Sequence, residues 1–428
     1  MKGIVSRLKL LFFAMRHKDG WRGLKESDVL VARHDADCGY QYDEKSYSPI
    51  VDSIVEICFS KNLSVQSIAT PFSQLTGGQA FNSPMAFNRS FFVVALLVRV
   101  LSIVLGRKNS KRFGDSRKTA IWLEVLKRVK PKIVIGIQPD VGLCRACRVL
   151  NISVYDIQHG AIGVGDKWYG DILPKTATDS DLPSGFLCWD QQSTWDLKNW
   201  APNRGMTISV VGNPWFQRFQ YPDDNDALVQ DAAKSGRIFS DEKPVILVAL
   251  QWGLHLYYYP EKDFNKVMCK ALESVIKRTH GRYNWLLRLH PVQLSGDEGR
   301  LCENYLSREF GGLPGVEWHR ASLIPLPLLL SQVDLHITDM SAVVISASLF
   351  GVSSALLNPY LNEGGILEKL YKYERESGVA TVVAQDEGAI ESWIVDKLSF
   401  VSETSNFDVP KNGIQALLDK AMQANKPG

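Results

Sequence analysis

One alternation, repeated twice along the chain, limits the fold more than any other feature: short β-branched runs separated by longer stretches whose apolar residues recur at helical spacing. Strands separated by helices cannot close as hairpins, so the pattern predicts parallel sheets covered by helices. In the first series, residues 28–36 (DVLVARHDA), 63–70, 132–138 (KIVIGIQ), 153–158 (SVYDIQ), 185–189 and 207–211 read as strands, with helices at 47–62, 141–150 and 191–200. In the second, strands fall at 244–250 (PVILVAL), 284–289, 316–319, 333–337 and 353–357, and helices at 263–279, 323–331, 341–350, 365–376 and 388–397. Between them the text turns polar, with a turn signal at Tyr221-Pro222-Asp223-Asp224-Asn225-Asp226. The expected architecture is α/β, two Rossmann-like domains (residues 1–220 and 221–428) facing across a cleft. Ligands of such sheets bind beyond the carboxyl ends of the strands.

The length of 428 residues, with 45% apolar and 22% charged residues, fits two folded domains and excludes a disordered or fibrous chain. A net charge of +3 excludes a protein that binds nucleic acid over its whole surface. Seven cysteines, spread from Cys38 to Cys302 without a repeated spacing, point to a reducing compartment, the cytoplasm. The apolar stretch at residues 8–15 is interrupted by Lys9 and lacks a small-residue cleavage site after it, so it is not read as an export signal. The run FFVVALLVRVLSIVLG at 91–106 falls short of the ~20 residues of a spanning helix and carries Arg99, so it is not expected to cross a membrane.

Local charge is another matter. Residues 89–132 hold twelve Lys/Arg against Asp115 and Glu124. A basic stretch abutting an apolar helix suits peripheral contact with an anionic membrane surface, here the inner face of the cytoplasmic membrane. The competing expectation is a buried core helix followed by a solvated loop.

Candidate chemistry sits at the strand ends. In the second series LLRLHP places His290 after a strand, with Pro291 stiffening the loop. The next end reads Thr338-Asp339-Met340-Ser341, a polar cluster before a helix, expected to cap it and to offer N–H groups to a phosphate. Glu363 follows another strand and is placed to take ribose hydroxyls. Gln251 and Trp252 end the strand that opens the second domain, and the aromatic run from Trp252 to Tyr259 offers either base stacking or packing. In the first domain His34, Asp35 and Asp37 follow one strand, Asp140 another, and Gln158, His159 and Gly160 a third. Together they read as an acceptor and catalytic wall.

The order of motifs, a strand followed by QHG, then VVGNPWF, VALQWG, LLRLHP and HITDMSAVVISASLFGVSSALLNP, resembles bacterial glycosyltransferases of the GT-B fold that assemble capsular and lipopolysaccharide chains. The resemblance covers roughly residues 130–365. In the sialyl- and Kdo-transferases of that fold an HP motif and a later serine at a helix start hold the nucleotide end of the donor. The resemblance therefore implies donor contacts at His290, Pro291 and Ser341, with Thr338, Asp339, Glu363, Gln251 and Trp252 around them. Ala342 stands where that pattern has a second hydroxyl residue, so UDP- and GDP-sugars stay open beside CMP-sugars. The expected reaction moves a sugar from a nucleotide-sugar donor, a substrate rather than a cofactor, to a glycan or lipid-linked acceptor. Asp37 or Asp35 would be the base, with His159 as the alternative, and His34, Gln158, Gly160 and Asp140 would face the acceptor.

Chemistry without a metal is expected, with Asp223-Asp224-Asn225-Asp226 read as a linker, and the lone CxxC at Cys144 and Cys147 reads as packing. Neither a GxxxxGK[ST] phosphate loop nor GxGxxG occurs. Three other readings compete: a non-hydrolysing UDP-sugar 2-epimerase, a CDP-glycerol-type phosphotransferase, and a non-catalytic, membrane-attached assembly protein.

Overall fold

The computed structural model describes residues 19–73, 75–160, 162, 167–254, 267–294, 296–399 and 410–424. They divide into two compact units, one running to Arg218 and the other from Phe219. The first unit is a six-stranded parallel sheet. Its strands are β1 (Val29–Arg33), β4 (Val65–Ala69), β5 (Ile133–Gly136), β6 (Ser153–Ile157), β7 (Gly185–Cys188) and β8 (Thr207–Val210), in the order β4-β1-β5-β6-β7-β8. Both faces are covered. Leu30 and Ala32 join Trp122, Leu126, Leu143, Cys144 and Cys147 on one side, and Val29 and Val31 join Ile50, Ile54 and Ile135 on the other. That double burial is why these strands read as unbroken apolar runs. The two CxxC cysteines are packing residues, as expected, and all seven cysteines are free and buried.

Several features of this unit depart from expectation, among them the helix placed at 191–200, which shortens to Trp195–Lys198 after a 3-10 turn. A short antiparallel hairpin, β2 (Tyr40–Tyr42) with β3 (Lys45–Tyr47), fills a stretch given no structure from the sequence. The helix Gly413–Ala424 returns from the far end of the chain and buries Ile414 and Leu418 in the first unit's core, so the last described residues do not belong with the second unit. The close fit needs glycine: a Cβ on Gly413 would lie 2.4 Å from the Cα of Val211.

The second unit repeats the plan with β9 (Val245–Ala249), β10 (Asn284–Arg288), β11 (Val316–Glu317), β12 (Leu335–Thr338), β13 (Ser353–Leu356) and β14 (Ala380–Val382), all parallel and ordered β11-β10-β9-β12-β13-β14. Several of its helices differ from expectation. The one placed at 323–331 is two short helices, His319–Leu323 and Leu326–Leu330, because Pro325 between them lacks an N–H to continue the first. The helix at 365–376 shrinks to Lys372–Glu376, and the one at 341–350 to Val343–Ser348. The helix Gly296–Phe310 and strand β14 were not anticipated. The start of the helix placed at 263–279, and residues 255–259 of the aromatic run, lie outside the described residues.

The apolar and basic stretch is a single helical span, Asn88–Val129, broken at Gly106. There φ is +74° and ψ 162°, which only glycine adopts without strain. The chain turns back on itself: a Cβ on Gly114 would lie 2.5 Å from a methyl of Val98, two positions that a straight helix would hold ~24 Å apart. The first arm is capped by Asp19, whose carboxylate accepts from the N–H groups of Arg89 and Ser90, both at 2.8 Å. Its root is held by the cluster of Phe87, Phe91 and Trp122.

At the end of β1, Arg33 is 1% exposed and lies 3.2 Å from Asp52, which is fully buried. The guanidinium also donates to the carbonyls of Ser46 (2.6 Å) and Phe81 (3.0 Å) and to the Cys38 sulfur (3.0 Å), while Asp52 accepts from the Ser48 N–H at 2.7 Å. The pair thus binds the strand end, the β2–β3 hairpin and the start of the helix Pro49–Ser60 together. Asp52→Ala leaves the guanidinium charge buried without its partner and is expected to cost about 3–5 kcal/mol in denaturant unfolding, whereas Arg33→Met with Asp52→Leu together recover most of that loss.

Candidate functional site

In the second unit the parallel register sets Arg288, Ala249, Thr338 and Leu356 side by side, so the residues after them share one rim. That rim is tied together by Gln251. Its side-chain oxygen accepts from the Met340 N–H at 2.7 Å, and its carbonyl accepts from the Gln293 side chain at 3.3 Å. Gln293 in turn accepts from the His290 N–H at 2.9 Å. Gln251 is therefore a positioning residue that joins the β9, β10 and β12 loops. Gln293, three residues after His290 in the same HPVQ string, was not singled out from the sequence, and only its proximity to the HP pair could have flagged it.

His290 is exposed on this rim, and its Nδ1 accepts from the Val292 N–H at 3.2 Å. With Nδ1 so engaged, the proton of the neutral ring sits on Nε2, aimed away from the loop as a donor. Desolvation by the surrounding loop lowers its pKa from the ordinary histidine value. Pro291 opens a short 3-10 turn, Pro291–Leu294, that holds this geometry.

The expected phosphate cradle of unused N–H groups is only partly present. Met340 donates to Gln251, Ser341 to the Thr338 hydroxyl (3.3 Å) and Val343 to the Ser341 hydroxyl (3.3 Å). The helix that follows is six residues long, too short for a strong dipole. Thr338 is buried and donates to the Ala249 carbonyl at 2.8 Å, so it shapes the loop rather than meeting a ligand. Asp339 accepts from the Asn358 amide at 2.7 Å. Ser341 is the hydroxyl left on the rim, its oxygen accepting from Val343 and its O–H able to donate outward. Glu363 and Trp252 are exposed on their own loops.

Beside His290 lies a cavity of about 460 Å³ between the β10 and β11 loops, lined by Leu289, Gln293, Trp318, His319 and Ser322 among others. Trp318 and His319 rings lie 5.1 Å apart. Apolar walls with an aromatic pair and a few polar groups fit a planar heterocycle. The sequence hid this pocket because its walls come from segments about 25 residues apart.

The first unit's rim sorts the expected residues into two kinds. Asp140 accepts from the Gly142 N–H (2.8 Å) and the Trp122 indole (3.0 Å), capping the helix Val141–Val149. Gln158 is buried, accepting from the Trp189 N–H at 2.8 Å and donating to the Gly160 carbonyl and the Ser193 hydroxyl, both at 2.9 Å. Both hold the rim in shape. Asp37 takes the Ser48 hydroxyl and the Ile50 N–H (3.0 Å) on one oxygen, Oδ2, at the start of the helix Pro49–Ser60. Burial pushes its pKa up to about 7. Asp35 accepts from the Ser73 hydroxyl. Each carboxylate thus secures a local turn, and Oδ1 of Asp37 takes no part in these two bonds.

His34 and His159 are different. Their rings, from the ends of β1 and β6, lie 6.4 Å apart. His159 is half-buried, and its Nδ1 has no hydrogen-bond partner among the described residues. Desolvation, and then the neighbouring His34, hold its pKa below the ordinary histidine value. A ring kept neutral in this way is ready to take a proton. Asp156, buried beneath, accepts from the Gln138 N–H (2.8 Å) and the Tyr169 hydroxyl (3.1 Å), and burial raises its pKa to about 7. No group of three or more His, Cys, Asp or Glu suited to a metal occurs among the described residues.

No family model matches the chain, and no curated protein matches it. Its fold is similar to solved structures of enzymes that handle nucleotide-sugars or cell-wall polymers. The UDP-GlcNAc 2-epimerase from Neisseria meningitidis, bound to UDP-GlcNAc, shares 12% identity, with 93% of this chain and 100% of that chain covered, at a TM-score of 0.52. The UDP-GlcNAc 2-epimerase from Methanocaldococcus jannaschii shares 13%, covering 92% and 99%, at 0.56. The wall teichoic acid polymerase TagF shares 14%, covering 99% and 95%, at 0.55. The architecture of two parallel-sheet α/β units is thus that of the GT-B-like enzymes.

If His290 Nε2 donates to a phosphate, His290→Ala weakens nucleotide binding by about 1.5–3 kcal/mol, roughly ten- to a hundred-fold in Kd by calorimetry. Unchanged affinity with unchanged melting removes His290 from the site.

Proposed function

We propose that the chain is a glycosyltransferase that takes a sugar from a UDP-sugar and passes it to a hydroxyl of a growing surface polysaccharide or lipopolysaccharide. The observation that carries this reading is the chemical difference between the two rims: one offers a donor histidine, a serine hydroxyl and a heterocycle-sized cavity, the other a histidine kept neutral at pH 7. UDP is favoured over CMP and GDP by the similarity to enzymes of UDP-GlcNAc.

In this scheme the base sits in the cavity lined by Trp318 and His319, and His290 Nε2–H with the Ser341 hydroxyl meets the phosphate that leaves. The acceptor O–H gives its proton to His159 as its oxygen bonds to the anomeric carbon; the bond from that carbon to the phosphate oxygen breaks, and UDP departs with the electron pair. Stabilising that departing charge and removing the proton are the two tasks such a transfer sets.

A second reading, UDP-sugar 2-epimerase, is favoured by the fold similarity to both epimerases over nearly the whole chain. The two part cleanly in heavy water. Inversion at C2 must break the C2–H bond, so an epimerase places deuterium at C2 of UDP-GlcNAc with no acceptor present. A transferase leaves C2 unlabelled and moves radiolabelled sugar into the polysaccharide or lipid fraction of an envelope extract, with and without EDTA.

The pH profile identifies the base. With His159 in that role, transfer stays level as pH falls past 7 and drops only below its ~6.5 ordinary value, because the lowered pKa keeps the ring neutral further into acid. With Asp37 in that role the acid limb lies near 7, where that carboxyl titrates. His159→Ala should lower turnover ~10²–10⁴-fold with nucleotide affinity unchanged.

A further inference from the structure

The span Asn88–Val129 carries an exposed surface that neither rim explains. On the arm before Gly106, Phe91 and Val94 are buried against the first unit, while Val93, Leu96, Leu97, Val100 and Val104 are 43–78% exposed and Ile103 is 85% exposed. Spaced by three and four, these six side chains form one stripe along the side of the helix turned away from the core. The arm that returns is basic. Arg107, Lys108, Lys111 and Arg112 are exposed, as is Arg99 on the flank of the stripe, and none of the five has an acidic partner among the described residues. Ser110 and Gly114, both buried, let the two arms approach closely, which keeps the cations beside the apolar stripe.

By length and composition the span is apolar enough to cross a membrane. The bend at Gly106 argues against crossing, because entry tip-first would carry Arg107, Lys108, Lys111 and Arg112 into the hydrocarbon. Lying flat instead, the stripe reaches ~5–10 Å below the headgroups while the neighbouring cations remain level with the phosphates. We propose that this bent pair of helical arms is a monotopic anchor that lies in the surface of an anionic bilayer, apolar stripe down. The apolar face fits lipid, and the excess positive charge around it specifies a negative surface.

The test uses the full chain and vesicles of phosphatidylcholine with or without 30% phosphatidylglycerol. Co-sedimentation is expected with the anionic vesicles and lost at high salt; Lys108→Gln with Lys111→Gln should lower partitioning roughly twenty-five-fold, at about five-fold per cation, and Ile103→Ser with Val104→Ser should abolish it. All four side chains are exposed, so melting temperatures should not move. In a Val104→Trp variant, tryptophan emission should shift to the blue on anionic vesicles and be quenched by brominated acyl chains. Failure to bind anionic vesicles overturns the proposal. So does a concentration-dependent dimer in sedimentation velocity that the Ile103/Val104 double variant disperses, since a second copy would then cover the stripe.

Discussion

Parallel pairing is the constraint on which everything else rests. Once every strand in a sheet runs the same way, all carboxyl ends lie on one rim, and each loop that follows a strand is delivered there whatever its sequence. The residues gathered on the second rim come from loops that follow β9, β10 and β12, far apart in the chain and adjacent because Ala249, Arg288 and Thr338 share a register. Gln251 then converts proximity into rigidity by bonding to two of the neighbouring loops. The first unit uses a buried ion pair for the same purpose. Arg33–Asp52 fixes the end of β1, and so the height of His34 above the sheet.

Polar residues at strand ends divide into those that build the rim and those that remain for chemistry. Asp140, Gln158 and Asp37 hold nearby backbone and side chains in place. His290, Ser341 and His159 each retain an unspent function: an outward N–H, an outward O–H, and a neutral ring.

The strands were legible because both their faces are buried, which removes polar residues from the run and leaves a continuous apolar word such as KIVIGIQ or PVILVAL. Less legible was anything set by contacts between distant residues. The β2–β3 hairpin depends on Arg33 reaching the Ser46 carbonyl, which no local pattern encodes. Asp37 read as a free acid at a strand end; its partner, the Ile50 N–H, lies thirteen residues on. The return of the basic arm hangs on one glycine at the junction of an apolar and a basic run, where a helix end and a helix bend look alike. The C-terminal helix closes the first unit because Gly413 lets it meet Val211, a pairing across some 200 residues.

The central claim is that a uridine nucleotide binds the second unit's rim between the β10, β11 and β12 loops. Hydrogen exchange read by mass spectrometry, with and without saturating UDP, tests this without any assumption about the reaction. The account predicts slowed exchange in peptides covering 290–294, 318–323 and 338–343, with the amino ends of the same strands unchanged; protection confined to the first unit, or none at saturating UDP, would contradict it.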